Sequence, residues 1–366
     1  MPGKLRVGVI FGGRSGEHEV SLASARSVLA ELNPASYDVL QIGITPHGAW
    51  LAGPDALAAF QEGNTAHLTR VALLPDPSAP GLYAIHQDGS TFERYADIDV
   101  YFPVLHGTFG EDGTLQGLFE MAGAAYVGAG VTGSAVGMDK GVFKAVMQAI
   151  GVPVVKYEVI LRSELDKDMQ SVVQRISALG TYPLFVKPAN LGSSVGITKC
   201  RTRSDLVEGL LEAARFDRRI IVERGIEARE IEVSVLGNDE PQASIPGEIL
   251  PAADFYSYEA KYQDDRSQLL IPAPLSAELA RKVQQLAIQA YKAVDCAGMA
   301  RVDFLLDKNS DALYLNEINT IPGFTQISMY PKLWEASGLP YTRLLDRLIE
   351  LALDRKRQRD RIEHHR

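Results

Sequence analysis

Residues 298–319 read Gly-Met-Ala-Arg-Val-Asp-Phe-Leu-Leu-Asp-Lys-Asn-Ser-Asp-Ala-Leu-Tyr-Leu-Asn-Glu-Ile-Asn. Two largely apolar runs flank the polar turn Asp307 to Asp311. The pattern predicts an antiparallel strand pair, Ala300 to Leu306 and Ala312 to Asn319. Side chains alternate faces along a strand, so Arg301 and Asp303 share a face, and so do Glu317 and Asn319. The odd-numbered turn preserves parity, which predicts all four on one face. Val302, Phe304, Leu315 and Ile318 are apolar and mark a sheet inside the protein. Two carboxylates and a carboxamide about one point are hard oxygen ligands of the kind Mg²⁺ takes, with phosphate oxygens and water completing its shell. Arg301 beside them can hold charge that develops during a reaction. The competing account of the same residues is a structural ion pair of Arg301 with Asp303 or Glu317.

Upstream, Lys187-Pro188 closes an apolar run and is followed by the small-residue loop Gly192-Ser193-Ser194-Val195-Gly196. Glycines let backbone N–H groups approach phosphate oxygens, and serine hydroxyls add donors. A flexible surface turn would explain the glycines but not the lysine. No Walker A pattern occurs, which excludes a P-loop. The loop also fits the nucleophile-elbow pattern G-x-S-x-G with Ser194 as nucleophile. A hydrolase of that kind needs a histidine downstream, and only His364 and His365 in the charged tail follow. Asp254 to Tyr262 interleaves aromatics with Glu259 and Lys261, which suits a lid over a ligand; a loop docked permanently on the core is the plainer alternative.

At the other end, Leu5 to Phe11 is a short apolar run ending in Gly12-Gly13 and reads as a buried parallel strand. It is too short for the apolar core of a signal peptide. Val20 to Leu32 has helical spacing, Tyr37 to Ile44 and Ile98 to Leu105 read as strands, and Gly117 to Ala122 as a helix. Strand–helix alternation predicts a doubly wound parallel α/β lobe over roughly the first 130 residues. Ligands of such lobes sit at the carboxyl ends of strands. Glu17, able to receive an ammonium, and His106-Gly107 with Glu111-Asp112-Gly113 fall at such ends. A packed histidine is the alternative for His106. Glu19 reads as an acid at the positive end of a helix. Asp55 to Tyr95 reads as irregular. The boundaries expected are 1–133, 134–224 and 225–353, with a charged, fraying tail over 354–366.

The length of 366 residues suits two to three domains, and 46% apolar against 23% charged residues suits a buried core. A net charge of −9 argues against nucleic-acid or anionic-membrane partners. No apolar run approaches a membrane span. Cys200 and Cys296 read as reduced, packed thiols of a cytosolic protein.

These residues resemble one family. Gly12-Gly13 through Glu17-His18-Glu19-Val20-Ser21 and His106-Gly107 through Glu111-Asp112-Gly113-Thr114-Leu115-Gln116-Gly117 resemble the N-terminal signatures of D-alanine–D-alanine ligases. So do Met138-Asp139-Lys140, Val186-Lys187-Pro188, the Gly192 to Gly196 loop, Tyr258 to Tyr262, Gly298 to Asp303 and Asn316 to Gly323. The matches run in order from about residue 5 to 335.

The resemblance implies an α/β ATP-grasp fold in which ATP lies between the central and C-terminal lobes. It implies Lys140, Lys187 and Ser194 near the phosphates, and Lys261 on the phosphate that is transferred. Glu223 would hold the adenine side and Glu230 the ribose. Asp303, Glu317 and Asn319 would bind two Mg²⁺ ions, which Mn²⁺ could replace. Glu17 would hold the ammonium of the first D-alanine, supported by Ser193 and Tyr262. Ser328 and the Met329 backbone would receive the carboxylate of the second. Arg301 and the Gly323 N–H would face the tetrahedral oxyanion, and His106 would line the substrate cleft. Arg224 stands where many relatives have lysine, so no ligand role is carried to it. The expected product is D-alanyl-D-alanine for peptidoglycan precursor synthesis, hence cell-wall biogenesis and cell shape, made in the cytoplasm by a homodimer. Another ATP-grasp carboxylate–amine ligase, such as a D-alanine–D-lactate ligase, and a nucleotide-binding module without turnover are the alternatives.

Overall fold

In the computed structural model, which describes residues 3–86, 89, 91–192, 195–250 and 268–363, three sheets follow one another along the chain. The first contains β1 (Leu5–Gly12), α1 (His18–Glu31), β2 (Tyr37–Ile44), β3 (Trp50–Gly53), α2 (Ala56–Glu62), β4 (Thr69–Leu73), β5 (Leu82–Ile85), β6 (Phe92–Ala96), β7 (Val100–Pro103) and α3 (Thr114–Met121). Strand order is β6-β5-β4-β3-β2-β1-β7. Only β2, β1 and β7 pair in parallel, and β3 to β6 extend the sheet antiparallel. The stretch Asp55 to Tyr95, expected to be irregular, therefore forms a helix and most of that extension. Its strands are short and half-exposed, so they lack the continuous apolar run that betrays β1. Pro103 is tolerated because β7 ends the strand order, and the parallel bridge of Tyr126 to Tyr101 on its outer side stops short of Pro103.

Next come α4 (Val131–Met138), α5 (Lys140–Ala149), β8 (Tyr157–Leu161), α6 (Arg162–Ile176), β9 (Leu184–Pro188), β10 (Thr198–Cys200), α7 (Arg203–Phe216) and β11 (Arg219–Arg224). The four strands form an antiparallel sheet, β10-β9-β11-β8, with α6 and α7 sharing its core. Asp139 starts α5 by accepting from the Gly141 and Val142 N–H groups, which otherwise have no helical partner. Cys200 and Cys296 are both buried and free.

The third sheet is built from β12 (Ala228–Gly237), β13 (Gln242–Ala243), β14 (Gly247–Leu250), β15 (Gln268–Leu270), β16 (Gly298–Asp307) and β17 (Leu313–Asn319), with α8 (Ala277–Ala293) between β15 and β16. Its order is β15-β14-β12-β16-β17, and β13 pairs with β12. The chain then forms α9 (Met329–Ala336) and α10 (Tyr341–Arg359).

The β16–β17 register differs from the parity expectation in an informative way. The hairpin pairs Leu306 with Leu313 and Phe304 with Leu315. Continued unchanged, that ladder would set Asn316 opposite Asp303 and Ile318 opposite Arg301. The register instead shifts between Asp303 and Phe304, so that Asp303 faces Glu317 and Arg301 faces Asn319. A β-bulge at Asn316 thus restores the shared face, not the length of the turn.

α10 also departs from expectation. The segment from Asp354, expected to fray, continues the helix to Arg359. Arg355 lies over the Tyr126 ring at 4.2 Å and donates to the carbonyls of Tyr126, at 3.0 Å, and Gly128. Arg359 donates to the Ala124 carbonyl at 2.8 Å and pairs with Glu120 at 2.6 Å. Leu344, Leu345, Leu348, Ile349 and Leu351 share one core with Val7, Val9 and Phe11 of β1 and with Val100 and Phe102 of β7.

Candidate active site

Three sets of residues build the site. On the third sheet, Arg301 donates from Nε and Nη2 to the two oxygens of Asp303, at 2.8 and 2.7 Å. Its Nε also lies 2.9 Å from Glu232 Oε2. Burial would lower the guanidinium pKa, but Asp303 and Glu232 raise it far above its ordinary value. Asn319 donates from Nδ2 to Asp303 at 2.9 Å, which turns its amide oxygen the other way. The ion pair weighed against a substrate role for Arg301 is therefore present, with Glu232 as an added partner. Glu232 was missed, although Glu230-Ile231-Glu232 alternates and puts both acids on one strand face.

Among the described residues, no group of three or more His, Cys, Asp or Glu side chains comes together to hold a metal. The chemistry of Asp303, Glu317 and Asn319 still fits a hard cation, because Mg²⁺ uses few protein carboxylates.

The second set lies on the central sheet. Lys187 donates to Glu223 Oε2 at 2.7 Å, and Lys144 pairs with Glu223 Oε1 at 3.1 Å. Burial raises the Glu223 carboxyl pKa, but the two ammoniums outweigh it and hold it at about 2. Lys140, the first residue of α5, donates to the Leu191 carbonyl at 2.8 Å and lies 3.9 Å from Glu317 Oε2. It ties the glycine loop to the acidic face of β17. Asp139 holds the same loop, accepting from Asn190 at 3.1 Å and pairing with Arg219. Lys144 was missed too, although it lies one helical turn beyond Lys140.

The third set comes from the first sheet. Glu17 is buried at the start of α1. A Cβ at Gly107 would fall 2.3 Å from Glu17 Oε2, and one at Gly192 would fall 2.6 Å from it. The two glycines, one from each neighbouring loop, make the room the carboxylate occupies. Gly107 also has φ +74, which favours glycine.

Glu111 accepts from the N–H groups of Gly107 at 2.7 Å and Ile321 at 3.0 Å. Burial, with the Glu17 charge second, pushes its carboxyl up to about 8. His106 is buried, with Nδ1 at 2.9 Å from the Ile321 carbonyl and Nε2 at 3.0 Å from Ser24 Oγ. A carbonyl only accepts, so Nδ1 carries the proton and Nε2 accepts from the hydroxyl. Burial lowers the pKa of the ring. Both nitrogens are engaged, so His106 joins the first sheet to the loop after β17 as a packed histidine.

Ser328 precedes α9, and its Oγ accepts from Thr325 N at 3.1 Å. Gly323 lies beside it: a Cβ there would be 3.1 Å from Ser328 Oγ. Met329 is buried against Ile249 and Leu333. Glu230 lies on β12 opposite Leu305 of β16. Ser193, Ser194, Lys261 and Tyr262 lie outside the described residues.

Buried acids from the first sheet, lysines from the second and an acidic strand face from the third thus meet at two loops, 189–192 and 319–323. Family models cover the same parts in the same order: the D-ala D-ala ligase N-terminus matches residues 6–129 and the D-ala D-ala ligase C-terminus residues 146–350. The chain belongs to the D-alanine–D-alanine ligase family. It is 52% identical over 358 residues to the D-alanine–D-alanine ligase of Heliobacterium modesticaldum, covering 98% of this chain and 97% of the relative. That of Natranaerobius thermophilus is 48% identical over 360 residues, covering 98% and 97%. Among solved structures, the D-alanine–D-alanine ligase of Coxiella burnetii superposes with a TM-score of 0.84 at 39% identity, over 98% of this chain and 96% of that one. The VanG D-Ala:D-Ser ligase of Enterococcus faecalis gives 0.85 at 36% identity, over 96% and 100%. The ligase has the ATP-grasp fold of these relatives. No helix of the described residues is long and apolar enough to cross a membrane.

Proposed function

We propose that this ligase joins two D-alanines through an acyl phosphate at the expense of ATP, in the cytoplasm and as a homodimer, for peptidoglycan precursor synthesis and so for cell-wall biogenesis and cell shape. The observation that carries the reading is the Glu17 carboxylate, buried in a space that Gly107 and Gly192 leave for it, beside the loop that Lys140 ties to Glu317. A buried carboxylate near a phosphate-type loop suits an ammonium whose own carboxylate points at ATP.

On this reading the lobes are 1–133, 134–224 and 225–353. The carboxylate of the first D-alanine attacks the γ-phosphorus, ADP leaves, and an acyl phosphate forms. Phosphoryl transfer asks mainly for positioning and charge neutralisation, which Lys140, Lys187, Lys261 and the hydroxyl of Ser194 supply. Glu223 holds the adenine side and Glu230 the ribose. Mg²⁺ held by Asp303, Glu317 and Asn319, or Mn²⁺ in its place, neutralises phosphate charge when bound.

Ser193 and Tyr262 support Glu17, and Ser328 with the Met329 N–H receives the second carboxylate. The amine of the second D-alanine then attacks the acyl carbon. The Gly323 N–H and Arg301 stabilise the oxyanion. Arg301 already spends Nε and Nη2 on carboxylates, so that role falls to Nη1. The tetrahedral intermediate collapses, phosphate leaves and the dipeptide remains.

The test measures ADP release with and without D-alanine and identifies the product by mass, with D-serine and D-lactate offered in competition. D-alanine-dependent ADP release and D-alanyl-D-alanine as main product are expected. Release that ignores D-alanine refutes the ligase reading. A main product carrying D-serine or D-lactate refutes the choice of second substrate.

A further inference from the structure

Lys144 has no part in the reaction above, yet its side chain is 0% exposed and carries a charge into the wall of the nucleotide cleft. A buried ammonium is costly unless paired. Among the described residues Lys144 has two partners, and they belong to different sheets. It pairs with Glu223 Oε1 at 3.1 Å on β11, and it donates to the Asn316 carbonyl at 3.2 Å on β17. Asn316 is the bulged residue, the one whose insertion returns Glu317 and Asn319 to the face of Asp303.

We propose that Lys144 is a positioning residue that holds the bulged register of β17 and fixes its spacing from Glu223, so that the base end and the metal end of the nucleotide site keep a set distance. This rests on the reading of the cleft given above. Two arguments support it. A bulge takes a backbone carbonyl out of the regular ladder, and a carbonyl buried there needs a donor. Lys144 supplies that donor, so sliding to the flat register would strip the buried ammonium of a partner. The second concerns Lys187, which sits on Glu223 Oε2, so that any movement of its ammonium toward a phosphate loosens that pair. With Lys144 on Oε1, that movement does not strand a buried carboxylate.

Lys144→Met keeps the apolar stem out to Cε and deletes the ammonium. Binding of a non-hydrolysable ATP analogue is measured by calorimetry, with and without Mg²⁺, beside Mn²⁺ binding by paramagnetic resonance and the KM for D-alanine. Loss of an outer partner of a metal site weakens metal binding about 10- to 100-fold, and that is expected here for metal in the presence of nucleotide. The first D-alanine, bound at Glu17 at the start of α1, should keep its KM within about twofold.

Metal and nucleotide constants unchanged within that margin overturn the proposal, and so does a D-alanine KM that rises in step with them. Lys144→Gln retains a donor without the charge and should fall between the two. If neither variant accumulates folded, Lys144 serves folding and the proposal fails. Wild-type protein that binds no Mg²⁺–nucleotide would instead refute the function proposed above.

Discussion

Glu17 shows how one side chain is specified by residues that have no side chain at all. Gly192 lacks the positive φ of Gly107, so its requirement is purely one of space beside Glu17. Gly192→Ala should therefore leave the thermal midpoint nearly unchanged while displacing the carboxylate. A misplacement of about 1 Å can cost on the order of a hundredfold in rate, so kcat/KM for D-alanine should fall by a factor between about ten and a hundred. The KM for ATP should move far less, and steady-state kinetics with each substrate varied in turn separate the two.

Glu111 offers a test by pH. Its folded carboxyl is raised to about 8 from 4.5, chiefly by burial. The fold thus favours the protonated form between those values. The stability this gives is complete below about pH 4.5 and is lost as pH rises through about 8. Urea midpoints from pH 5 to 9 should fall for the wild type and fall less for Glu111→Gln. Neither detail was legible in the sequence beyond a glutamate in a motif, because burial and the approach of Ile321 depend on the tertiary fold.

Elements were most legible where burial is complete. The apolar runs of β1, β9 and β11 and the periodicity of α8 announce themselves. The short strands β3 to β6 do not, since their residues face solvent on one side and carry little period. The shared acidic face of β16 and β17 is present, but for a different reason than the sequence suggests. Parity through the turn predicts it, whereas the register depends on a bulge that no residue type at 316 advertises.

The link between β12 and β14 makes a prediction at the same scale. Arg229 donates to both oxygens of Glu248, at 2.8 and 2.6 Å, and to the Pro274 carbonyl at 3.1 Å. Glu248 is 4% exposed and Arg229 28%. Breaking a fully buried pair costs about 3–5 kcal/mol, and the exposure of Arg229 discounts that, so Arg229→Met should cost about 2–3 kcal/mol in denaturant unfolding. Arg229→Met/Glu248→Leu, which leaves no unpaired charge, should recover most of the loss.

Over the whole molecule, the last helix closes the first sheet. Arg355 and Arg359 satisfy the carbonyls of Tyr126, Gly128 and Ala124. Hydrogen bonds from charged groups contribute about 1.5–3 kcal/mol each, before exposure is discounted. Removing residues 361–366 should leave the unfolding midpoint where it is. Removing 354–366 should lower stability by about 2–4 kcal/mol, read by chemical denaturation of both truncations. Equal midpoints for the two would reduce the arginine contacts to surface decoration. The same closure has a consequence for synthesis on the ribosome. The residues that cover Val7, Val9, Phe11, Val100 and Phe102 include Leu344, Leu345 and Leu348, more than 200 positions later in the chain. Of the three sheets, the one that emerges first is thus the one finished last, and until the last helix arrives its apolar face is covered only in part, by residues such as Leu22, Val28 and Leu57. Chaperone occupancy on this chain should therefore begin early and be released only when the segment around residue 350 clears the exit tunnel.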